Sequence, residues 1–207
     1  NSAAGISLAE AVSGTTLIAN NMIGGVAANG TASDFCAGIL LGGGVGSTTN
    51  VYYNTVSMSG TITGGSAGTQ QSVALAVTAG TAPTLDLRNN IFENSQLPNA
   101  SGTTKFYAIG LGYSSTAGNY AGLTSNNNDL FAIAGANYAV GITGGLSAGT
   151  VRTTLADWTT ETGRDGASVS VAPVYISATN LHMLAGVNPA INNAGTALAV
   201  TNDIDCQ

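Results

Sequence analysis

The chain has 207 residues, enough for one large domain or two small ones, and combines 44% hydrophobic residues with only 7% charged residues and 29 glycines. That balance excludes disorder, which pairs high charge with few apolar residues, and leaves Ser, Thr, Asn and Gly to cover the surface. Four Lys+Arg against ten Asp+Glu give a net charge of −6, which argues against nucleic acid and anionic membrane, since both are held by basic clusters.

Taken from the N-terminus, a small residue followed by an apolar-x-apolar triplet predicts a first strand at Gly5-Ile6-Ser7-Leu8. A second apolar stretch runs into Asn20-Asn21, the pair Met22-Ile23 follows, and the chain turns loose in GGVAANGTASDF. The same order returns in Gly38-Ile39-Leu40-Leu41, Tyr53-Asn54, Val56-x-Met58 and the loose SGTITGGSAGTQQ. It returns again in Ala74-Leu75-Ala76-Val77, LDLRNNIF and NSQLPNASGTTK, then in Ala108-Ile109-Gly110-Leu111, Asn127-Asn128 and Leu130-Phe131, and opens once more at Ala139-Val140-Gly141-Ile142.

The lead apolar positions 6, 39, 75, 109 and 140 are 33, 36, 34 and 31 residues apart, and Asn21, Asn54, Asn90 and Asn128 are 33, 36 and 38 apart. Two markers keeping one period predict a repeat architecture. Three short strands, a corner and a variable loop per unit describe one turn of a parallel β-helix. Asn suits the corner because it tolerates left-handed backbone, and stacked carboxamides can bond to one another. Asn21, Asn54, Asn90 and Asn128 are thus the expected structural ladder, with Leu85, Leu87 and Phe92 pointing into the bore. A helical repeat of similar period is disfavoured by Gly, Thr, Ser and Asn at every few positions.

From residue 150 the pattern changes. TTLADWTTETGRDG predicts a short helix near Trp158 with Thr154 as its N-cap, and Ser168 to Ile176 predicts a strand with Pro173 at an edge or bend. Residues 150–207 are expected to form atypical last turns or a C-terminal cap of a single domain spanning 1–207, covering the open end of the bore. The expected fold is all-β, a parallel β-helix of about five or more turns.

The strings VYYNTVSMSGT, LDLRNNIFENS, SNNNDLF, TLADWTTETGRD and NLHMLAGVNPAINNAG with VTNDID resemble secreted bacterial proteins, of Bacteroidetes type, built from right-handed parallel β-helix repeats; the likeness spans about residues 15–205. The resemblance implies a right-handed, extracellular solenoid, often one part of a longer exported polypeptide, and no particular ligand or reaction. Relatives usually carry Gly after the terminal DID, where this chain has Cys206 and Gln207. A single lysine, Lys105, fits the extracellular expectation. There is no apolar run of about 18 residues for a membrane span and no charged-then-apolar N-terminal signal.

The fold also hosts polysaccharide lyases and hydrolases, which need paired carboxylates or carboxylate-held calcium. Asp86, Glu93, Asp129, Asp157, Asp165 and Asp203 fall at unlike phases of the repeat, so no two are expected to share a face on neighbouring turns. Asp86 and Arg88 are expected to form a surface ion pair, and His182 lacks the Ser or Cys partner of a catalytic base. Asp203 and Asp205 alone make a poor calcium cage. No catalytic residue, cofactor or metal ligand is therefore assigned. Tyr52, Tyr53, Phe106, Tyr107, Tyr113, Tyr120 and Tyr138 are either buried caps or a sugar-stacking face. The threonines show no strict T-x-T column of the ice-binding kind, and Asn29 and Asn99 sit in N-glycosylation patterns.

Cys36 and Cys206 lack metal-site spacing. Separated by four or more turns of about 4.8 Å, they are too far apart for a bond unless the tail doubles back outside the coil or the bond joins two molecules. The functional expectation is a non-enzymatic extracellular structural protein, a surface adhesin or a fibre subunit stacked end to end as a homo-oligomer or filament. The alternative is a carbohydrate-binding or carbohydrate-cleaving module with a surface glycan as partner.

Overall fold

A computed structural model describes residues 2–8, 13–28, 35–44, 46–62, 71–78, 83–98, 104–113, 120–200 and 202. The coil is built from β1 (Ala3–Leu8), β2 (Gly14–Ala19), β3 (Met22–Gly24), β4 (Phe35–Leu41), β5 (Ser47–Tyr52), β6 (Thr55–Met58), β7 (Gln71–Val77), β8 (Thr84–Arg88), β9 (Ile91–Asn94), β10 (Lys105–Leu111), β11 (Leu123–Asn126) and β12 (Asp129–Ala132). Then come β13 (Tyr138–Thr143), β14 (Thr150–Arg152), α1 (Leu155–Thr162), β15 (Tyr175–Ser177) and β16 (Asn180–Met183).

Every third strand pairs in parallel with the one a full turn later. The result is three sheets: β1-β4-β7-β10-β13-β14, β2-β5-β8-β11 and β3-β6-β9-β12. The fold is a β-solenoid. From β2 to β11 it climbs about three turns rather than five or more, because the periodic pattern stops at the cap instead of running on through residues 150–207.

In the first sheet Ile6, Ile39, Leu75 and Ile109 stand in register, as the repeat requires. The fifth position slips by one residue: Ile109 faces Gly141, not Val140. The reason is Trp158. A Cβ at Gly141 would lie 2.5 Å from the indole, so the tryptophan of α1 takes the space an inward side chain of this rung would fill. The glycines ahead of the first two triplets have a similar cause, since a Cβ on Gly5 would lie 2.5 Å from Ile23 Cγ2 and one on Gly38 2.1 Å from Val56 Cγ1.

The bore is filled by columns such as Ile23, Val56, Phe92 and Leu130 of the third sheet and Ile18, Val51 and Leu87 of the second. The inner strands of the first sheet, β4, β7, β10 and β13, are buried on both faces, whereas the edge strands β1 and β14 are not. β7 is buried along its whole length, and Ala37, Val73, Ala76, Tyr107 and Ala139 form a second apolar layer outside the bore. A strand covered on both sides reads as a near-continuous apolar run, which explains VALAV.

The corner between the second and third sheets is left-handed, but at the residue preceding each ladder asparagine. Asn20, Tyr53, Asn89 and Asn127 have φ of 57°, 55°, 60° and 57°. The following asparagine is thereby free to turn its carboxamide inward and along the stack. The helix forms as expected, with Thr154 and Asp157 in a reciprocal capping box. The strand expected over residues 168–176 reduces to a bridge at Val169 and to β15. Between them, Val171 N–H donates to Asp129 Oδ1 and Val174 N–H to Asn188 Oδ1, so side chains capture the donors a sheet would use.

Candidate functional site

The ladder runs the length of the coil. Asn21 Nδ2 donates to Asn54 Oδ1 at 2.8 Å, Asn54 to Asn90 at 3.0 Å and Asn90 to Asn128 at 3.1 Å. Each receiving oxygen also accepts the main-chain N–H of the asparagine below, at 3.0–3.1 Å. With Asn54, Asn90 and Asn128 at most 2% exposed, the column satisfies polar groups that would otherwise be stranded in the core.

The three outer faces differ in access. That of the first sheet is covered over β4, β7, β10 and β13 and open only at the edge strands β1 and β14. That of the third sheet is partly roofed by the C-terminal segment, with Ser57, Glu93 and Asp129 at 3%, 8% and 2% exposure. That of the second sheet is the open one. Register places Thr15, Thr48 and Thr84 in one file, Leu17, Asn50, Asp86 and Thr124 in the next, and Ala19, Tyr52, Arg88 and Asn126 in a third. Threonine thus forms a single file, without the second that a T-x-T surface needs.

At the centre of this face Arg88 Nε donates to Asp86 Oδ1 at 2.6 Å and Nη2 to Oδ2 at 2.5 Å. Tyr52 Oη donates to Asp86 Oδ2 at 2.7 Å, and the guanidinium sits 5.5 Å from the tyrosine ring centroid. The expected ion pair is therefore a two-pronged fork with an aromatic partner one rung below. Burial and the Asp86 carboxylate hold the Tyr52 hydroxyl above its ordinary pKa, so it stays a donor. The other aromatics serve packing or the corner: Phe106 stacks on Tyr138 at 4.7 Å, Tyr113 and Tyr120 meet at 6.1 Å, Tyr107 is buried and Tyr53 turns a corner.

The carboxylates correct the sequence expectation. Glu93 and Asp129 do share a face on neighbouring rungs, because Asp129 pairs with Ile91 and Phe131 with Glu93. The signal was available: Glu93 lies three residues past Asn90 and Asp129 one past Asn128, both odd offsets from the ladder. Ser57 Oγ donates to Glu93 Oε2 at 2.6 Å. Asp129 Oδ2 and Tyr175 Oη are buried without a hydrogen-bond partner. Burial first, then the Glu93 charge, pushes Asp129 up to about 7 against the pull of the Val171 N–H; burial also raises Tyr175. The pair lies under the C-terminal segment, away from the open face.

Asp157 belongs to the helix cap and Asp165 to the top of the ladder. His182 stands on β16 with Nδ1 against Asn180 Oδ1 at 2.5 Å. Among the described residues no three His, Cys, Asp or Glu gather as a metal site, and no helix is long and apolar enough to cross a membrane. Asn29, Asn99, Asp203, Asp205 and Cys206 lie outside the described residues.

Cys36 is a free, fully buried thiol in the bore, donating to Val26 O at 3.4 Å, and burial pushes it up to about 11. A protonated, enclosed thiol is a poor nucleophile and a poor anchor for a bond between molecules. The tail does double back along the outside of the coil, reaching Asn20 of the first rung through the main chain of Asn202.

Fold and site together define a capped parallel β-solenoid with one open polar face. Comparison of the chain with protein-family models, curated proteins and solved structures gave no match.

Proposed function

We propose that this chain is a non-enzymatic extracellular surface protein of the adhesin type, holding a polysaccharide on the open outer face of its second sheet. The observation that carries this is the Tyr52–Asp86–Arg88 fork on that face. A sugar offers closely spaced hydroxyls and an apolar ring face; the matching surface is rigid, polar and aromatic. Here the side chains are already ordered by mutual hydrogen bonds, so little conformational entropy is lost on binding. Rungs about 4.8 Å apart repeat polar groups along one direction, as an extended polymer does. At the upper end a recess of about 370 Å³, lined by Thr124, Asn126 and Arg164, continues the face.

Cleavage is the weaker reading, because the carboxylates that share a face, Glu93 and Asp129, lie beneath the C-terminal segment. Head-to-tail stacking into a filament is weaker too: β14 pairs antiparallel on β13 and Trp158 closes the bore at that end, leaving the β1 edge without a matching partner surface. The extracellular setting is supported by the low charge and the resemblance in sequence.

The test is binding to a panel of neutral and acidic polysaccharides by affinity electrophoresis, with reducing ends assayed in parallel. Retardation that falls at least about tenfold in affinity in Arg88→Ala and Tyr52→Ala, with no new reducing ends, supports the proposal. Retardation unchanged by both substitutions, or none with any polymer, removes it.

A further inference from the structure

The left-handed corner residues do more than turn the chain. Their side chains project outward as a file up the coil, and the C-terminal segment lies across that file in the opposite direction. Asn127 Nδ2 donates to Ala194 O at 2.9 Å. Asn89 makes a two-way contact with Thr196, Oδ1 accepting its N–H at 2.8 Å and Nδ2 donating to its carbonyl at 2.6 Å. One rung lower, Tyr53 Oη donates to Thr196 O at 2.9 Å and accepts Leu198 N–H at 3.1 Å. At the first rung Asn20 Nδ2 reaches Asn202 O.

Three features of this contact matter. Every tail atom engaged is main-chain, so the file recognises peptide groups and not side chains. The corner residues bond 194, 196 and 198, alternate positions of the tail between a turn closed by Ala194 N–H on Ile191 O and one closed by Val200 N–H on Leu198 O; two residues of extended chain span about 6.6 Å, enough to pass obliquely from one rung to the next. In the tail Gly195, Thr196, Ala197 and Ala199 are exposed while Ala194, Leu198 and Val200 are half-buried, and among the described residues no strand ladder ties it to a sheet. Gly195 permits the close approach, since a Cβ there would lie 3.3 Å from Asn89 Oδ1.

We infer that the corner file Asn127, Asn89 and Tyr53 is a binding site for an extended polypeptide, recognised through its main chain, with the protein's own residues 194–198 as the resident occupant and Asn20 holding Asn202 beyond it. The site is independent of the sheet face proposed for glycan. It is built to exchange: a segment held by side-chain bonds in the open is displaced by any chain that offers the same N–H and C=O pattern with glycine where Gly195 lies.

The experiment uses the full chain and a fluorescent peptide of residues 192–200. Thr196→Pro removes the N–H accepted by Asn89 and loosens the resident segment while leaving the file intact. By anisotropy the peptide is expected to bind this variant at least about tenfold more tightly than wild type. Adding Asn89→Ala, or the milder Tyr53→Phe, which deletes only the hydroxyl, is expected to reverse the gain. A peptide with the non-glycine residues reordered is expected to bind alike. Absence of binding to Thr196→Pro, equal binding when Asn89→Ala and Tyr53→Phe are added, or loss of binding on reordering would overturn the inference.

Discussion

Asn128 donates its side-chain amide to Asp165 Oδ1 at 3.1 Å, across 37 residues of sequence, and there the carboxamide ladder ends on a carboxylate. The same oxygen accepts Ser125 Oγ at 3.0 Å and Ser168 Oγ at 2.7 Å, while Oδ2 accepts Trp158 Nε1–H at 2.8 Å. A further asparagine would present donors to the groups above it. A carboxylate only accepts, so it terminates the column and ties the capping helix to it.

Replacing Asp165 by Asn therefore opposes a donor to a donor. With Oδ1 kept toward Ser125, Asn128 and Ser168, the new NH2 faces the indole N–H. Unfolding by denaturant, followed through Trp158 as the sole tryptophan, is expected to show a loss of about 2 kcal/mol. An unchanged midpoint would mean the ladder does not need its acidic end.

Within the ladder, position should set the cost. Asn90→Ala removes a buried donor to the Val51 carbonyl and the acceptor of the Asn54 main-chain N–H, and leaves the part-buried Arg88 carbonyl only Tyr53 N–H, with an expected loss on the order of 3 kcal/mol. Asn21→Ala at the half-buried first rung is expected to cost about 1 kcal/mol. Equal midpoint shifts for the two in guanidinium would contradict a burial-weighted column.

Gly141→Ala tests the seating of the tryptophan. The added methyl would meet the indole at 2.5 Å and Ile109 O at 3.1 Å. Either the indole moves or the rung does, at about 2 kcal/mol, and Trp158 emission is expected to shift to longer wavelength as the ring loses its enclosure.

Asp129 gives stability a pH dependence of known sign. Its pKa is raised in the fold from the ordinary 3.8 to about 7, so the folded chain holds a proton the unfolded chain releases. The stabilisation is full below the ordinary carboxylate range and is lost as pH rises through about 7. Glu93 from β9 and Tyr175 from β15 face the same enclosure, and the Glu93 charge adds to the loss. Melting temperature is expected to fall between pH 5 and 8, and Asp129→Asn to flatten that fall; a steeper slope in the variant would reverse the assignment.

Much of the coil was legible from residues alone. Period-two triplets and a constant interval between Asn21, Asn54, Asn90 and Asn128 suffice for stacked parallel strands, because in a solenoid each rung contacts only its neighbours and local pattern becomes global order. The parity of Glu93 and Asp129 was equally present, once the ladder is taken as the origin of register. The capping helix and its Thr154 N-cap were legible too; what no local pattern carried was how that helix seats on the coil and where the tail runs. The slip from Val140 to Gly141 depends on where an indole from α1 comes to rest, and the placement of residues 194–198 and of Asn202 depends on Asn127, Asn89, Tyr53 and Asn20, the last of these 182 residues from Asn202. Sequence by itself determined the repeating unit, since backbone sterics and alternating burial act over a few residues. Only the tertiary structure decided how the coil is closed and strapped, since those contacts occur once, between distant segments, and leave no period to read.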